Sequence, residues 1–191
     1  IRPDAIRLGG VITALDALGS ASSSDWAGSP ASGNDFRSRF AEDLDLLASL
    51  GVRDLRLGFD WPRLQPAPGS IDDDWREWYE SVLTAADRAG VRVWAALHER
   101  FVPRWFDDEG SFADPKAAGL FWPRWVETVA DLFGGRVAGW FPIVDPVGCA
   151  SRWVDDPRKH EDALINLAVA WRDTWRILRG GPPVVTALHV R

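Results

Sequence analysis

The sequence is poor in several residue types, and each absence excludes a class of protein. Its 191 residues include no methionine and one cysteine, Cys149, so no disulfide can form within the chain. The 22 lysines and arginines against 28 aspartates and glutamates give a net charge of −6, without the basic field that nucleic acid or anionic lipid requires. No apolar run approaches the roughly 20 residues of a membrane span. We therefore expect neither a nucleic-acid partner nor a membrane partner.

The start of the sequence is also informative. The missing methionine indicates a processed end or a piece of a longer protein. The opening residues, Ile1–Asp4, lack a basic leader followed by an apolar core, so we expect no signal peptide and a cytoplasmic location. The composition is ordinary for a globular protein, except for 12 tryptophans against one tyrosine. The length predicts one domain, residues 1–191.

Short apolar runs alternate with segments of helical periodicity, and most of these segments begin or end at glycine or proline. The predicted strands are Leu8–Ala14, Val52–Phe59, Val91–Leu97, Val137–Val144 and Val184–Val190. The predicted helices are Asp35–Leu50, Asp72–Ala89, Pro115–Phe133 and His160–Leu178. This alternation predicts parallel strands covered by helices, in either an open sheet or about half of a (β/α)8 barrel. A dinucleotide-binding sheet is disfavoured because no Gly-x-Gly-x-x-Gly follows the first strand.

Titratable and aromatic residues collect at the predicted strand ends, where α/β folds bind ligands. They are Asp16 after the first strand, Arg56 and Trp61 at the second, His98, Glu99 and Trp105 at the third, and Trp140 and Asp145 at the fourth. Carboxylates there can act as acid and base, and tryptophan faces can stack on sugar rings. The alternative for the tryptophans is packing in the core, which we expect for those at helical spacing, such as Trp171 and Trp175.

Several of these segments resemble glycoside hydrolase family 1, the β-glucosidase-type retaining enzymes. The family's second-strand motif reads roughly R-F-S-x-x-W-x-R-x-x-P. The matching residues are Arg56, Trp61, Arg63 and Pro66, whereas Leu57 and Gly58 replace Phe and Ser. Further similar segments are Gly10–Thr13, Phe40–Leu47, Leu50–Val52, Gly90–Leu97, Pro103 with Trp105, Gly135–Val137, Trp140 and Pro146. The resemblance implies a (β/α)8 barrel, of which this chain supplies strands one to five and helices one to four.

The resemblance also implies roles for individual residues, with departures. In the family's W-x-x-x-N-E-P motif the Glu is the general acid/base and the Asn holds a sugar hydroxyl. Here Val144 and Asp145 stand in their places, so Asp145 is the candidate acid/base on a shorter arm. Arg56 would support the nucleophile, which in the family follows the seventh strand and has no counterpart here. Glu99 aligns with a sugar-binding His of the family, and the histidine of this sequence, His98, lies one position earlier.

The remaining candidate sugar contacts are Asp16, near a sugar-binding Gln of the family, and the three strand-end tryptophans, Trp61, Trp105 and Trp140. The implied ligand is a carbohydrate or glycoside, with no cofactor and no metal. Metal binding through His98, His160 and His189 has weak support, because the three histidines lack ligand spacing. Cys149 is interpreted as a small buried residue rather than a nucleophile.

Three hypotheses for the whole protein remain open. The first is part of a β-glucosidase-type hydrolase completed by further chain or by a second chain, with Asp145 as acid/base. The second is a catalytically degenerate barrel that binds a carbohydrate-like ligand, with Asp145 as a structural turn residue. In that case Glu99, Arg100 and His98 form a new polar cluster, or Glu99 and Arg100 form only a surface ion pair. The third is a half-barrel that associates with itself through the open edges of strands one and five.

Overall fold

The fold is a parallel β-sheet, whose strands lie side by side in the order of the chain, with helices between successive strands. The structure is a computed structural model that describes residues 8–18 and 33–187. Four strands pair in parallel in the order of the chain: β1 (Leu8–Ile12), β2 (Val52–Gly58), β3 (Arg92–Ala96) and β4 (Gly139–Phe141). This sequential parallel order agrees with part of a (β/α)8 barrel and not with a doubly wound sheet, whose strand order reverses.

The predicted fifth strand is present as two parallel bridges beside β4. Val184 pairs with Trp140, and Ala187 pairs with Val144. The rest of the predicted segment, residues 188–190, lies outside the described residues, as does His189. The fourth strand is shorter than predicted because the chain leaves the regular ladder after Phe141 and meets the fifth segment again only at Val144.

Each of the four strands is followed by a short helix at its carboxyl end and then by a longer helix. The short helices are α1 (Ala14–Leu18), α3 (Trp61–Leu64), α5 (Arg104–Asp108) and α7 (Pro146–Ala150), and two 3₁₀ turns span Ser111–Ala113 and Ser151–Trp153. The long helices are α2 (Phe36–Ser49), α4 (Asp73–Ala89), α6 (Pro115–Phe133) and α8 (Pro157–Leu178). The sequence predicted the long helices and missed the short ones, because one or two turns show no apolar periodicity.

Local chemistry explains where the long helices begin and end. Asp72 caps α4 by accepting a hydrogen bond from the Trp75 N–H, and Asp156 caps α8 in the same way from Lys159. Gly90 ends α4 in the left-handed conformation at φ 70°, which glycine adopts at little cost. The helix predicted from His160 begins at Pro157 because proline fits the first turn, where no N–H partner is needed.

The core lies between the sheet and the long helices and is dominated by aromatic rings. Trp61, Trp122 and Trp125 are completely buried, and Trp61 stacks on Trp125 with centroids 5.4 Å apart. By contrast, Leu8 and Val11 of β1 are more than half exposed. Within residues 8–18 and 33–187, none of the helices is long and apolar enough to cross a bilayer. The aromatic layer thus packs against the strand ends, while β1 lies at one edge of the sheet that residues 8–18 and 33–187 form.

Candidate active site

A cavity of about 420 Å³ opens at the carboxyl ends of the strands. Every strand end contributes to its lining, because parallel strands bring their carboxyl ends to one edge of the sheet. Its walls come from residues 13–14 after β1, 59–61 after β2, 97–101 after β3, and 144–145 with 148–149 around α7. Of the predicted site residues, the structure places Arg56, Trp61, His98, Glu99 and Asp145 on this cavity.

Arg56 and Glu99 form an ion pair at the floor of the cavity. The Arg56 Nε lies 3.6 Å from the Glu99 Oε1, and the two side chains are 18% and 12% exposed. The second carboxylate oxygen of Glu99 accepts a hydrogen bond from the Ala14 N–H at 3.2 Å. The carboxylate therefore joins the ends of three strands. An ion pair between Glu99 and Arg100 stays a prediction, but at 12% exposure the Glu99 carboxylate is largely buried beside Arg56.

The floor depends on the absence of a side chain at Gly58. A Cβ at this position would lie 2.5 Å from the Ala14 nitrogen and would also collide with the Glu99 Oε2. Contacts this short do not occur in folded proteins, so any side chain here would displace either the carboxylate or the first turn of α1. Gly58, which replaces a Ser of the family motif, thus provides the space that Glu99 occupies.

Asp60 is a buried carboxylate that sequence reasoning did not select. Its side chain pairs with Arg63 and caps α3 through the Arg63 N–H, and its backbone N–H donates to the Tyr79 hydroxyl at 2.8 Å. Burial raises the pKa of Asp60, and the charge and hydrogen bonds of Arg63 oppose that rise. Two signals could have found it: the Asp-x-x-Arg spacing directly after a strand, and the only tyrosine of the chain, at position 79.

Asp145 is the N-cap residue of α7, and its backbone has the left-handed conformation, with φ at 51°. Its side chain accepts a hydrogen bond from the Gly148 N–H at 3.2 Å, so it caps this short helix. Its backbone N–H donates to the Ala187 carbonyl, which ties it to the fifth strand segment. Val144 beside it is buried and offers no side-chain hydrogen bond. The Asp145 carboxylate thus lines the cavity and also caps α7.

His98 borders the cavity, but its ring belongs to the aromatic layer behind it. The ring centroid lies 5.1 Å from that of Phe112 and 6.3 Å from that of Trp122. Burial lowers the pKa of His98 to about 3, with a smaller contribution from the charge of Arg152. A histidine with this pKa is neutral at physiological pH and does not act as a charged sugar contact or a general acid.

Cys149 is buried, as its interpretation as a small core residue predicted. Its Sγ contacts the carbonyl oxygens of Glu99 at 3.2 Å and Val144 at 3.4 Å. Burial, followed by the nearby carboxylates of Asp145 and Glu99, raises the pKa of the Cys149 thiol to about 12. The thiol is therefore protonated and a poor nucleophile.

The other candidate contacts are placed differently by the structure. Trp105 and Trp140 are not among the lining residues that the structure describes. Trp140 is fully buried, and the Trp105 indole donates to the Gln65 carbonyl. Asp16 lies in α1, and its side chain is outside what the structure describes. Substrate contacts by these three residues stay predictions. In the described part of the chain, no group of three His, Cys, Asp or Glu side chains is arranged to hold a metal ion.

A parallel sheet with a charged cavity at its carboxyl edge, bordered by short helices, places the chain in the class of (β/α)8 barrels. The sequence profile of the glycosyl hydrolase family 1 matches residues 20–152. The chain belongs to this family, which confirms the resemblance found in the sequence. The fold prediction is confirmed too, since solved family members are (β/α)8 barrels that superimpose on this sheet and its helices.

Relatives and solved structures show how much of a barrel the match covers. The chain is 27% identical over 119 residues to a 6-phospho-β-glucosidase of Bacillus subtilis, covering 62% of this chain and 25% of that protein. It is 29% identical over 104 residues to a β-glucosidase of an Agrobacterium species, covering 54% and 22%. The family 1 β-glucosidase of Exiguobacterium antarcticum superimposes with a TM-score of 0.87 at 17% identity, covering 98% of this chain and 48% of that one. The chain thus spans about a quarter of these curated relatives.

Proposed function

We propose that the cavity is the glycoside-binding site of a β-glucosidase-type hydrolase, with Asp145 as its general acid/base. The observation that carries the proposal is the position of Asp145. It comes four residues after β4, lines the cavity and precedes Pro146, as the acid/base Glu precedes Pro in the family motif. A carboxyl group at this place can protonate the leaving-group oxygen and later activate water.

Retaining hydrolysis needs a second carboxyl group about 5–5.5 Å from the first. In the family this nucleophile follows the seventh strand, whereas residues 8–18 and 33–187 form four strands and part of a fifth. We propose that further barrel elements supply it, from the same polypeptide or from a complementing chain. The exposed Leu8 and Val11 support this arrangement, because apolar side chains on an edge strand gain stability when another element covers them. Self-association of two half-barrels would cover the same edge.

A second candidate function is carbohydrate binding without turnover. Two observations favour it. The Asp145 carboxylate is already engaged by the Gly148 N–H, and Val144 stands where the family places an Asn that holds a sugar hydroxyl. The arm of Asp is also one methylene shorter than that of Glu, and a misplacement of about 1 Å can cost about a hundredfold in rate. Both candidates use the same cavity, so one set of variants separates them.

The experiment compares the parent protein with Asp145→Asn and Asp145→Glu in a nitrophenyl β-glucoside assay, after native mass measurement of the same samples. Asn keeps the oxygen that caps α7 and tolerates the left-handed backbone, but it cannot transfer a proton. We expect Asp145→Asn to lower kcat at least a hundredfold with little change in KM. Asp145→Glu restores the family residue and should retain or raise kcat.

The outcomes divide the two candidates. Turnover that is lost in Asp145→Asn supports hydrolysis with this acid/base, whereas turnover that is unchanged in Asp145→Asn excludes Asp145 from that role. A parent protein that binds a glycoside but shows no turnover, even when native mass shows a complementing chain, supports the binding candidate. If no glycoside binds at all, both candidates fail.

A further inference from the structure

The cavity carries matched charges. Its lining includes the arginines Arg56 and Arg100 and the carboxylates of Asp60, Glu99 and Asp145, and Arg63 pairs with Asp60 from just behind the wall. Three cations therefore stand against three anions. Glu99 is the member whose removal would change this balance at the floor, because its carboxylate is the one that faces the Arg56 guanidinium.

The position of the Glu99 carboxylate is determined from two sides. One oxygen accepts the Ala14 N–H, and the other lies 3.6 Å from the Arg56 Nε. Gly58 leaves the space that one of these oxygens fills. With an exposure of only 12%, the side chain has little freedom to swing into solvent. A ligand that enters the cavity therefore meets Arg56 already neutralised.

We propose that Glu99 is a specificity-determining residue, which makes the cavity select uncharged glycosides over glycosides that carry a carboxylate. This inference rests on the proposed glycoside-binding function. A largely buried guanidinium with no carboxylate beside it would attract an anionic sugar, because charge-assisted hydrogen bonds between arginine and carboxylate are strong. With Glu99 in place, a sugar carboxylate would meet a like charge and would be left poorly paired, which costs affinity.

The test measures the affinity of two ligands that differ in this one feature. They are the nitrophenyl 1-thio-β-glucoside and the nitrophenyl 1-thio-β-glucuronide, whose sulfur linkage resists hydrolysis. Quenching of tryptophan fluorescence reports both dissociation constants. The central variant is Glu99→Gln, which keeps the shape and an oxygen for the Ala14 N–H but removes the charge. The matched control is Glu127→Gln, which removes one negative charge from the exposed surface of α6.

We expect the parent protein to prefer the glucoside. In Glu99→Gln, the ratio of the two dissociation constants should shift at least tenfold toward the glucuronide, while Glu127→Gln leaves the ratio unchanged. The double variant Arg56→Gln with Glu99→Gln should not show this shift, because the tighter binding of the glucuronide requires the Arg56 guanidinium. Arg56→Gln alone should move the ratio the opposite way, since Glu99 then faces the ligand without its cation. This single variant also tests the proposal if Glu99→Gln does not fold.

The results separate this inference from the function on which it rests. If both ligands bind and the ratio in folded Glu99→Gln stays within twofold of the parent, the inference is overturned while the binding function stands. If neither ligand binds the parent or any variant, the proposed function is overturned and the inference with it.

Discussion

The cavity floor and the aromatic layer behind it accommodate ionisable side chains in opposite ways. At the floor, Glu99 lies beside Arg56, so opposite charges are paired. In the aromatic layer, His98 packs against Phe112 and Trp122, and burial lowers its pKa to about 3. The two residues are consecutive at the end of β3, where alternation sends side chains to opposite faces. The comparison indicates that a charged form is favoured where an opposite charge lies beside it, and that a neutral form is favoured where burial among rings and a nearby cation oppose it.

The largest effect should come from pH, acting on the aromatic layer. His98 titrates near pH 6.5 when unfolded and near pH 3 when folded. Between these values the unfolded chain binds more protons, so the free energy of unfolding falls as pH falls. From pH 7 to pH 4 the loss from this group amounts to about 3 kcal/mol. In His98→Gln this part of the pH dependence should vanish in urea titrations.

His160 supplies the control for the pH experiment. It lies in α8 rather than in the aromatic layer, and His160→Gln should keep the pH dependence of the parent. Equal pH dependence in the parent and in His98→Gln would show that the aromatic layer does not hold this histidine neutral.

The second-largest effect on stability should come from a substitution at the cavity floor. In Gly58→Ala the new methyl group meets the Ala14 nitrogen and the Glu99 carboxylate, so the floor must open. We expect a loss of about 2–3 kcal/mol in the free energy of unfolding, measured by urea denaturation. Gly119→Ala in α6 is the matched control, because a Cβ there meets nothing within 4 Å and alanine favours a helix by roughly 0.5–1 kcal/mol. Equal midpoints for Gly58→Ala and the parent would contradict the tight floor.

A third prediction returns to the aromatic layer. The Trp122 indole donates to the Thr174 hydroxyl at 2.8 Å and to the Ala170 carbonyl at 3.0 Å, and the ring is completely buried. Trp122→Phe removes these hydrogen bonds and some volume, so we expect a loss of about 2 kcal/mol on thermal or urea unfolding. Trp175→Phe, at a ring that is 43% exposed, should change stability by less than about 0.5 kcal/mol. Similar losses of stability in both variants would contradict a larger contribution of the buried aromatic layer to stability.

The smallest effect should arise at the β4 side of the cavity. Asp145→Ala removes the cap of α7 and should cost about 1 kcal/mol of unfolding free energy, whereas Asp145→Asn should cost only a few tenths. The difference between the two variants isolates the cap from the charge. A large loss in Asp145→Asn would instead show that this carboxylate is held as an anion by the structure, as at the floor.

Much of the fold could be predicted because its signals are local. Gly51 and Gly90 mark the ends of α2 and α4, and the apolar runs of the second and third strands lie where β2 and β3 form. The short helices were missed because they are too short to show periodicity, and two of them, α3 and α7, begin at single side-chain caps, Asp60 and Asp145. The family resemblance identified the fold as a barrel, whereas the alternation of strands and helices alone did not distinguish a barrel from an open sheet.

The candidate site was predictable in place but not in its contacts. Strand ends pointed to Arg56, Glu99 and Asp145, and the structure brings all three to one cavity. Trp140 has the same kind of position in sequence, yet its ring is fully buried. A strand end alone does not tell a cavity wall from a core residue, because the outcome depends on which neighbouring strand and helix cover each face.

The sequence by itself determined the order of strands and helices, the edge of the sheet where polar groups gather, and the family. These properties depend on periodicity, on glycine and proline, and on motifs, all of which act over a few neighbouring residues. Only the tertiary structure decided that Glu99 pairs with Arg56, that Asp60 is buried against Arg63 and Tyr79, and that His98 is neutral. These outcomes depend on burial and on partners far away in the chain, such as Arg56 and Glu99, which are 43 residues apart, and no local pattern encodes them.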